Sequence, residues 1–386
     1  MAGFRTLGLA AILLASFLYS RIGLLSTFYY NHPARLQRVS PPGSIQINFK
    51  DDVRNCEDVL LNEEEAWMLL SCDPGRDQWN TVMGTFVNHT APPETGLYIW
   101  KYTEAGAKPF QLKLLPFENG HPDFHPLGIE YHAPSKTIFV ANHASRNSRI
   151  ELYRLDVDQA EATLFAAIEN PRIAAPNSIA AVSDTEFYVT NDHFFLARNS
   201  IPLAKLETYL ALPGANVVHV KLHSNGSTVT RSLARVPFAN GIAFLNESTL
   251  AVASSVSAAV FLYNIEHKEV GPTLTVASKI PVTFIPDNVS VDSKGKLLIA
   301  GHPHAPTLEK ASKNNRFCQH PGAKNDERCI SPKLSWVADW SEQDGLSNIY
   351  VDSEFGTSST AVRDASRGLG FISGLYERGI LAWKEL

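Results

Sequence analysis

The sequence predicts an all-β protein, specifically a β-propeller with one short capping helix and an apolar N-terminal segment. Two observations carry that reading. After about residue 40 the chain breaks into short runs such as Gly96–Tyr102, Thr137–Asn142, Ile150–Leu155, Glu186–Thr190, Asn216–Leu222, Thr249–Ala253, Val260–Asn264 and Lys296–Ala300. They are rich in β-branched and aromatic residues and bounded by Gly, Pro, Asn, Asp and Ser, the composition of strands between turns. The runs also recur: an apolar segment ending in polar residues returns roughly every 40–50 residues, a period that suits propeller blades. The repeats are too degenerate to count blades, and a two-sheet sandwich fits the same texture.

The N-terminus differs from the rest. Arg5 precedes the apolar run Leu7–Tyr19, and Arg21 interrupts before Ile22–Tyr30. A membrane span needs about 20 apolar residues, so residues 1–30 read as a secretory signal or a retained N-terminal anchor. The propeller, residues 40–386, is then expected on the lumenal or extracellular side. Four cysteines suit that compartment. Local disulfides Cys56–Cys72 and Cys318–Cys329, one of three possible pairings, need the least rearrangement. Sequons at Asn88, Asn225 and Asn246 lie in polar, turn-like contexts and are candidate glycosylation sites, and Asn288-Val-Ser is a fourth formal sequon.

One segment breaks the β texture. Pro202–Leu212 places Leu203, Leu206, Tyr209 and Leu210 at helical spacing, opened by Pro202 and closed by Pro213-Gly214. An amphipathic helix packed on the β body, or roofing a pocket, is expected there. Residues 303–345 read as a long, polar, disulfide-closed surface connection. Of the 386 residues 44% are apolar, enough for a large core, and net charge is −5 with no basic, aromatic-interleaved run. Nucleic acid is therefore not an expected partner.

Five places set a carboxylate or amide inside apolar sequence: Glu57-Asp58, Asn177, Asn191-Asp192, Asn240 and Asp287-Asn288. Each falls in a different section of the repeat, and equivalent positions of propeller blades converge on the axis. Uncompensated polar groups there would cost several kcal/mol each. Calcium takes six to eight oxygen ligands, and an amide-rich set without Cys pairs or paired histidines favours it over zinc or magnesium. Singly, each cluster has a structural explanation, Asn240-Gly241 as a turn above all.

These residues resemble the serum paraoxonase/arylesterase family of calcium-dependent lactonases and arylesterases. The matching segments are Glu57–Leu60, Pro126–Ile129, Val140–His143, Phe187–Phe195, Phe238–Ile242, Asp287–Asp292 and Gly301–Pro303, in family order over residues 40–386. The resemblance implies a six-bladed propeller and an N-terminal segment similar to the family's uncleaved one, with possible membrane association through it. It also implies a catalytic calcium held by Glu57, Asn177, Asn240, Asp287 and Asn288. A second, structural calcium would use Asp58 and the backbone carbonyl of Ile129.

Two departures stand out. The family's acid after its first ligating Asn is Ser178 here, which weakens the second site. The histidine of its Pro-His-Gly-Ile motif, the proposed water-activating base, is Leu127, although the supporting histidine remains as His143. His125 shares a strand face with Leu127, though an exposed or structural role suits it better, and His193 is expected to be satisfied in the core.

The function expected is calcium-dependent hydrolysis of a small lactone or aryl ester, with Asp287 as base or nucleophile and Leu127 making the pocket more apolar. The alternative is a propeller that keeps calcium for stability and serves as a secreted or anchored binding module. A metal-free, strictosidine-synthase-like reaction is disfavoured by the intact oxygen set.

Overall fold

Among the described residues six large sheets follow one another along the chain, five of four strands and one of five, with a two-stranded ribbon of Trp79–Asn80 and Thr85–Phe86 beside them. The computed structural model describes residues 2–41, 43–117, 121, 123–319, 322–323 and 326–385. Each large sheet is one blade, and the innermost strands, in order, are Cys56–Asn62, Pro126–His132, Pro176–Ala181, Ala239–Asn246, Ile285–Val291 and Ser358–Asp364. Every one packs against the next and the sixth returns to the first, so the ring closes. This is a six-bladed β-propeller.

The closure is built from both ends of the chain. The sixth blade holds Ser358–Asp364, Leu369–Gly374 and Ile380–Lys384, and its outer strand is Ile45–Asn48 from the N-terminal side, antiparallel to Ile380–Lys384. Pairing the first strand with the last means that no blade can be removed without opening the ring. In the second blade Lys113–Leu115 adds a fifth strand, parallel to Glu161–Ile168.

The core is divided into six apolar clusters, one between each pair of neighbouring blades. Second strands such as Trp67–Cys72, Thr137–Asn142 and Leu297–His302 are buried along their whole length, because both of their faces meet a neighbouring sheet. They read as continuous apolar runs for that reason. Outer strands such as Thr228–Arg235 reach solvent and carry polar residues.

Among the described residues three α-helices lie outside the blades: α1 (Ala2–Tyr30), α2 (Ile201–Leu210) and α3 (Ala305–Asn314). α1 covers the apolar leader. The side chains of residues 2–7, 9–14 and 20, and with them most of the apolar run after Arg5, lie outside the described residues. Its C-terminal end is tied to the propeller: Arg21 Nη1 donates to Val256 O, and Asn31 Nδ2 donates to Thr283 O and Pro303 O. Leu18, Tyr19, Ile22 and Leu25 are exposed. Among the described residues no helix is long and apolar enough to cross a membrane.

α2 forms where expected, capped by Ser200, but its orientation reverses the expectation. Leu203, Leu206, Tyr209 and Leu210 are exposed, while Ala204 and Glu207 are buried. The Glu207 carboxylate accepts from Phe194 N and Phe195 N, and Thr208 Oγ1 bonds His193 Nε2. The helix is anchored through polar atoms because the loop it covers offers unpaired backbone N–H groups.

The 303–345 connection carries regular elements among its described residues. It opens with α3, which buries Ala311 and Ser312, and ends in Ser335–Ser341, the third strand of the fifth blade. Both disulfides are formed with the expected pairing. Asn88, Asn225 and Asn246 are exposed, each with its Oδ1 accepting a backbone N–H two residues on. Asn288, 2% exposed, is beyond the reach of a glycan in the folded protein.

Candidate metal centre

The six innermost strands share one irregularity at one level. Each breaks its pairing with its neighbour near its start, where one or two residues are skipped: Glu57; Leu127 and Gly128; Asn177 and Ser178; Asn240 and Gly241; Asp287 and Asn288; Ser359 and Thr360. Such bulges bend a strand and re-aim its side chains. Here they leave the same step of all six strands free of the ladder and facing the ring.

Two glycines let adjacent strands close at this level. A Cβ on Gly128 would lie 2.0 Å from Asn177 O, and one on Gly241 would lie 2.5 Å from Asn288 Cα. Asn240-Gly241 is therefore not a turn. It is a strand segment whose glycine admits the backbone of the next blade.

The polar residues brought together are Glu57, Asn177, Asn240, Asp287 and Asn288, each at most 5% exposed. Their partners orient them. Asn288 Nδ2 donates to Glu57 Oε1 at 2.9 Å and to Thr360 Oγ1 at 3.0 Å. Asn240 Nδ2 donates to Ser255 Oγ at 3.0 Å, and Ser255 Oγ in turn donates to Pro286 O. With the Asn240 and Asn288 amide nitrogens held sideways, four oxygens remain buried without any hydrogen bond: Glu57 Oε2, Asn177 Oδ1, Asn240 Oδ1 and Asn288 Oδ1.

A buried acceptor without a donor costs about 1–3 kcal/mol. Four at one level of one ring are a donor set for a hard cation, and carboxylate with amide oxygen is the set calcium takes. The residues thus fit the metal. Among the described residues no group of three or more His, Cys, Asp or Glu side chains forms a metal site, because most of these donors are amides. Burial and the nearby Asp58 and Asp287 charges push the Glu57 carboxyl well above its ordinary range, the strain a cation relieves.

Asp58, one residue on, is different. Its Oδ2 accepts from Ile129 N at 2.9 Å, and its Oδ1 accepts from Val59 N at 2.8 Å and from Thr360 Oγ1 at 2.9 Å. Ile129 turns its N–H toward the acid. Ser178 Oγ accepts from Ile242 N. Burial raises the Asp58 carboxyl to about 6, with the three donors opposing.

The histidines separate into distinct roles. His143 Nε2 donates to Pro176 O at 2.5 Å, and its Nδ1 bonds Thr81 Oγ1. Burial drives its pKa down to about 4, so the ring is neutral, and it braces the strand immediately before Asn177. His125 does not reach the ring of oxygens. Its Nδ1 faces Asp73 Oδ2 at 3.0 Å and its Nε2 faces His89 O at 2.8 Å. Both partners are acceptors; burial alone would lower its pKa, and Asp73, with His89 O and Asp123, raises it instead. His193 is bonded by Asp192 and Thr208, as a core histidine would be. Asn191 is structural, accepting from Ala175 N, and Asp192 Oδ2 is buried without a partner. Leu127 is packed into the apolar cluster of Phe139, Ile150 and Ile179 between the second and third blades.

Two contributors escaped the sequence reading. His302 Nε2 lies 2.8 Å from Asp287 Oδ2, while its Nδ1 is buried without a partner. The only signal was its place in Gly301-His-Pro303. Thr360, with no signal in its own segment, links Glu57 O, Asp58 and Asn288 across the seam of the ring.

Comparison with known proteins agrees with this geometry. Serum paraoxonase/arylesterase 2 of Canis lupus familiaris is 29% identical over 202 residues, 50% of this chain and 53% of the relative. Serum paraoxonase/arylesterase 1 of Homo sapiens is 28% identical over 186 residues, 47% and 50% of the two chains. The match thus spans about half the length of these curated relatives. Among solved structures, a gluconolactonase of Xanthomonas campestris superposes with a TM-score of 0.51 at 14% identity, over 90% of this chain and 95% of that one. A Bacteroides thetaiotaomicron protein gives 0.51 at 9% identity, over 90% and 75%. These two show the fold alone. The Arylesterase family model matches residues 116–316, more than half of the sequence, and the chain belongs to the arylesterase family.

Proposed function

We propose that the protein is a calcium-dependent hydrolase of small lactones or aryl esters, working at the ring of axial oxygens. The observation that supports it most directly is the set of four unpartnered buried oxygens on Glu57, Asn177, Asn240 and Asn288, with Asp287 beside them. These five residues would hold one calcium ion. Bound there, calcium supplies Lewis acidity that polarises an ester carbonyl and offsets charge building on its oxygen.

The chain's own residues do the rest. Asp287 is the base toward water or the direct nucleophile, with His302 fixing its carboxylate from behind. His143 keeps Asn177 in place through Pro176 O and is a positioning residue rather than a second base. We assign no calcium to Asp58 and Ile129, because that carboxylate already has three protein donors and no orphaned oxygen. The leader is read as a signal or anchor, with the propeller on the lumenal or extracellular side.

The test is hydrolysis of phenyl acetate and of a medium-chain lactone by calcium-loaded, chelated and reloaded protein, beside Asp287→Ala. Turnover that needs calcium and falls about 100-fold or more in the variant supports the reading. One observation favours a second reading, a calcium-stabilised binding module: both ring nitrogens of His143 are engaged within the protein. Absence of turnover on both substrates, with calcium still raising Tm, would select it.

A further inference from the structure

The turn Pro74–Asp77, between the second and third strands of the first blade, brings a cation to the ring. Arg76 is 4% exposed. Its Nη2 donates to Pro126 O at 2.9 Å, the residue before Leu127, and its Nε has no hydrogen-bond partner. Among the described residues no Asp or Glu forms an ion pair with it. The neighbouring Asp77 is taken by Arg54 at 2.6 Å and by Asn55 and Asn315.

The turn is held rigidly. A Cβ on Gly75 would lie 2.8 Å from Asp73 Oδ1 and 2.9 Å from Pro92 Cδ. The other deeply buried arginine, Arg363, shows the usual solution: it pairs with Asp292 at 2.7 Å and Asp339 at 2.9 Å. A buried charge without such a partner is strongly destabilising.

Where the fold keeps such a cation at a site that binds small molecules, the missing anion belongs to the ligand. Arg76 meets the ring through Pro126 O, at the start of the second innermost strand and beside its Leu127–Gly128 step.

We propose that Arg76 is an anion-binding group of the active site and that the esters or lactones it selects bear a carboxylate. Its guanidinium would pair with that carboxylate while the ester carbonyl sits at the ring of oxygens. The assignment rests on the hydrolase reading above and adds the substrate class to it.

The experiment compares kcat/KM of the full, calcium-loaded chain for 4-acetoxybenzoate and for phenyl acetate, in the native protein, Arg76→Lys and Arg76→Gln. The expected result is preference for the acidic ester. Its ratio to the neutral one should fall about tenfold or more in Arg76→Gln, chiefly through KM, with Arg76→Lys between. An equal loss on both esters, or an unchanged ratio, overturns the proposal. Calorimetric binding of benzoate against benzyl alcohol to the same three proteins separates this failure from that of the hydrolase reading. If the native protein hydrolyses neither ester, weaker benzoate binding in Arg76→Gln still supports the anion site, and equal binding overturns it.

Discussion

Glu57 and Asp58 are neighbours in sequence and nearly equal in burial, yet their oxygens have opposite fates. Glu57 Oε2 has no partner, while Asp58 accepts three hydrogen bonds, two from backbone N–H groups and one from Thr360. The strand places them on opposite sides: Glu57 is the residue skipped by the ladder, and Asp58 pairs opposite Ser71. One carboxylate completes its bonding within the protein, and the other keeps an oxygen without a partner. Two acids in tandem thus differ in role: Asp58 anchors the blades, Glu57 is the one we propose as a cation ligand, and only their partners tell them apart.

The sharpest way to break that distinction is Asp58→Ala. It strands Ile129 N, Val59 N and the Thr360 hydroxyl, so stability should fall about 3–5 kcal/mol. Urea unfolding should show the same loss with and without calcium. A loss seen only with calcium present would make Asp58 a metal ligand after all.

The histidine behind Asn177 gives the next largest effect. His143 is held near 4 against an ordinary 6.5, so the unfolded chain takes up its proton first on acidification. Stability from this group is complete above pH 6.5 and is lost as pH falls toward 4, by up to about 3 kcal/mol. His125, raised by Asp73, runs the other way, contributing below pH 6.5 and losing its contribution as pH rises through its folded value. Denaturant titrations of His143→Gln between pH 4 and 7 should be flatter than those of the native protein. An unchanged slope would remove His143 from the account.

Calcium itself should raise stability by about 2.7 kcal/mol at a hundredfold excess over Kd, and Asn240→Ala or Glu57→Gln should abolish the increment. Glu57→Gln has a second consequence. The raised Glu57 carboxyl contributes stability below its unfolded value near 4.3 and loses it as pH rises through the folded value. At pH 7 the metal-free native protein carries that penalty, so metal-free Glu57→Gln should melt higher. A lower metal-free Tm would place Glu57 among ordinary structural carboxylates. The smallest effect is expected at the exposed face of α2, where Leu206→Gln should change stability by less than about 0.5 kcal/mol.

Sequence alone determined the β texture and both disulfides, and it singled out the five oxygen-bearing residues that the innermost strands carry. Each of these is written locally, in periodicity, in cysteine spacing or in a polar residue set inside an apolar run. Blade count was not legible from the period, because the sixth blade borrows Ile45–Asn48 from the other end of the chain. The inverted face of α2 was hidden because helical spacing records which residues share a side, not which side meets the protein. Thr360 was invisible as a contributor because its partners lie 72 to 303 residues away, and the Gly301-His-Pro303 segment did not say that His302 meets Asp287. Whether a carboxylate is spent on backbone donors, as at Asp58, or left open, as at Glu57, depends on neighbours that only ring closure brings together. That was decided by the tertiary structure, because hydrogen-bond satisfaction is a property of the assembled site and not of any one segment.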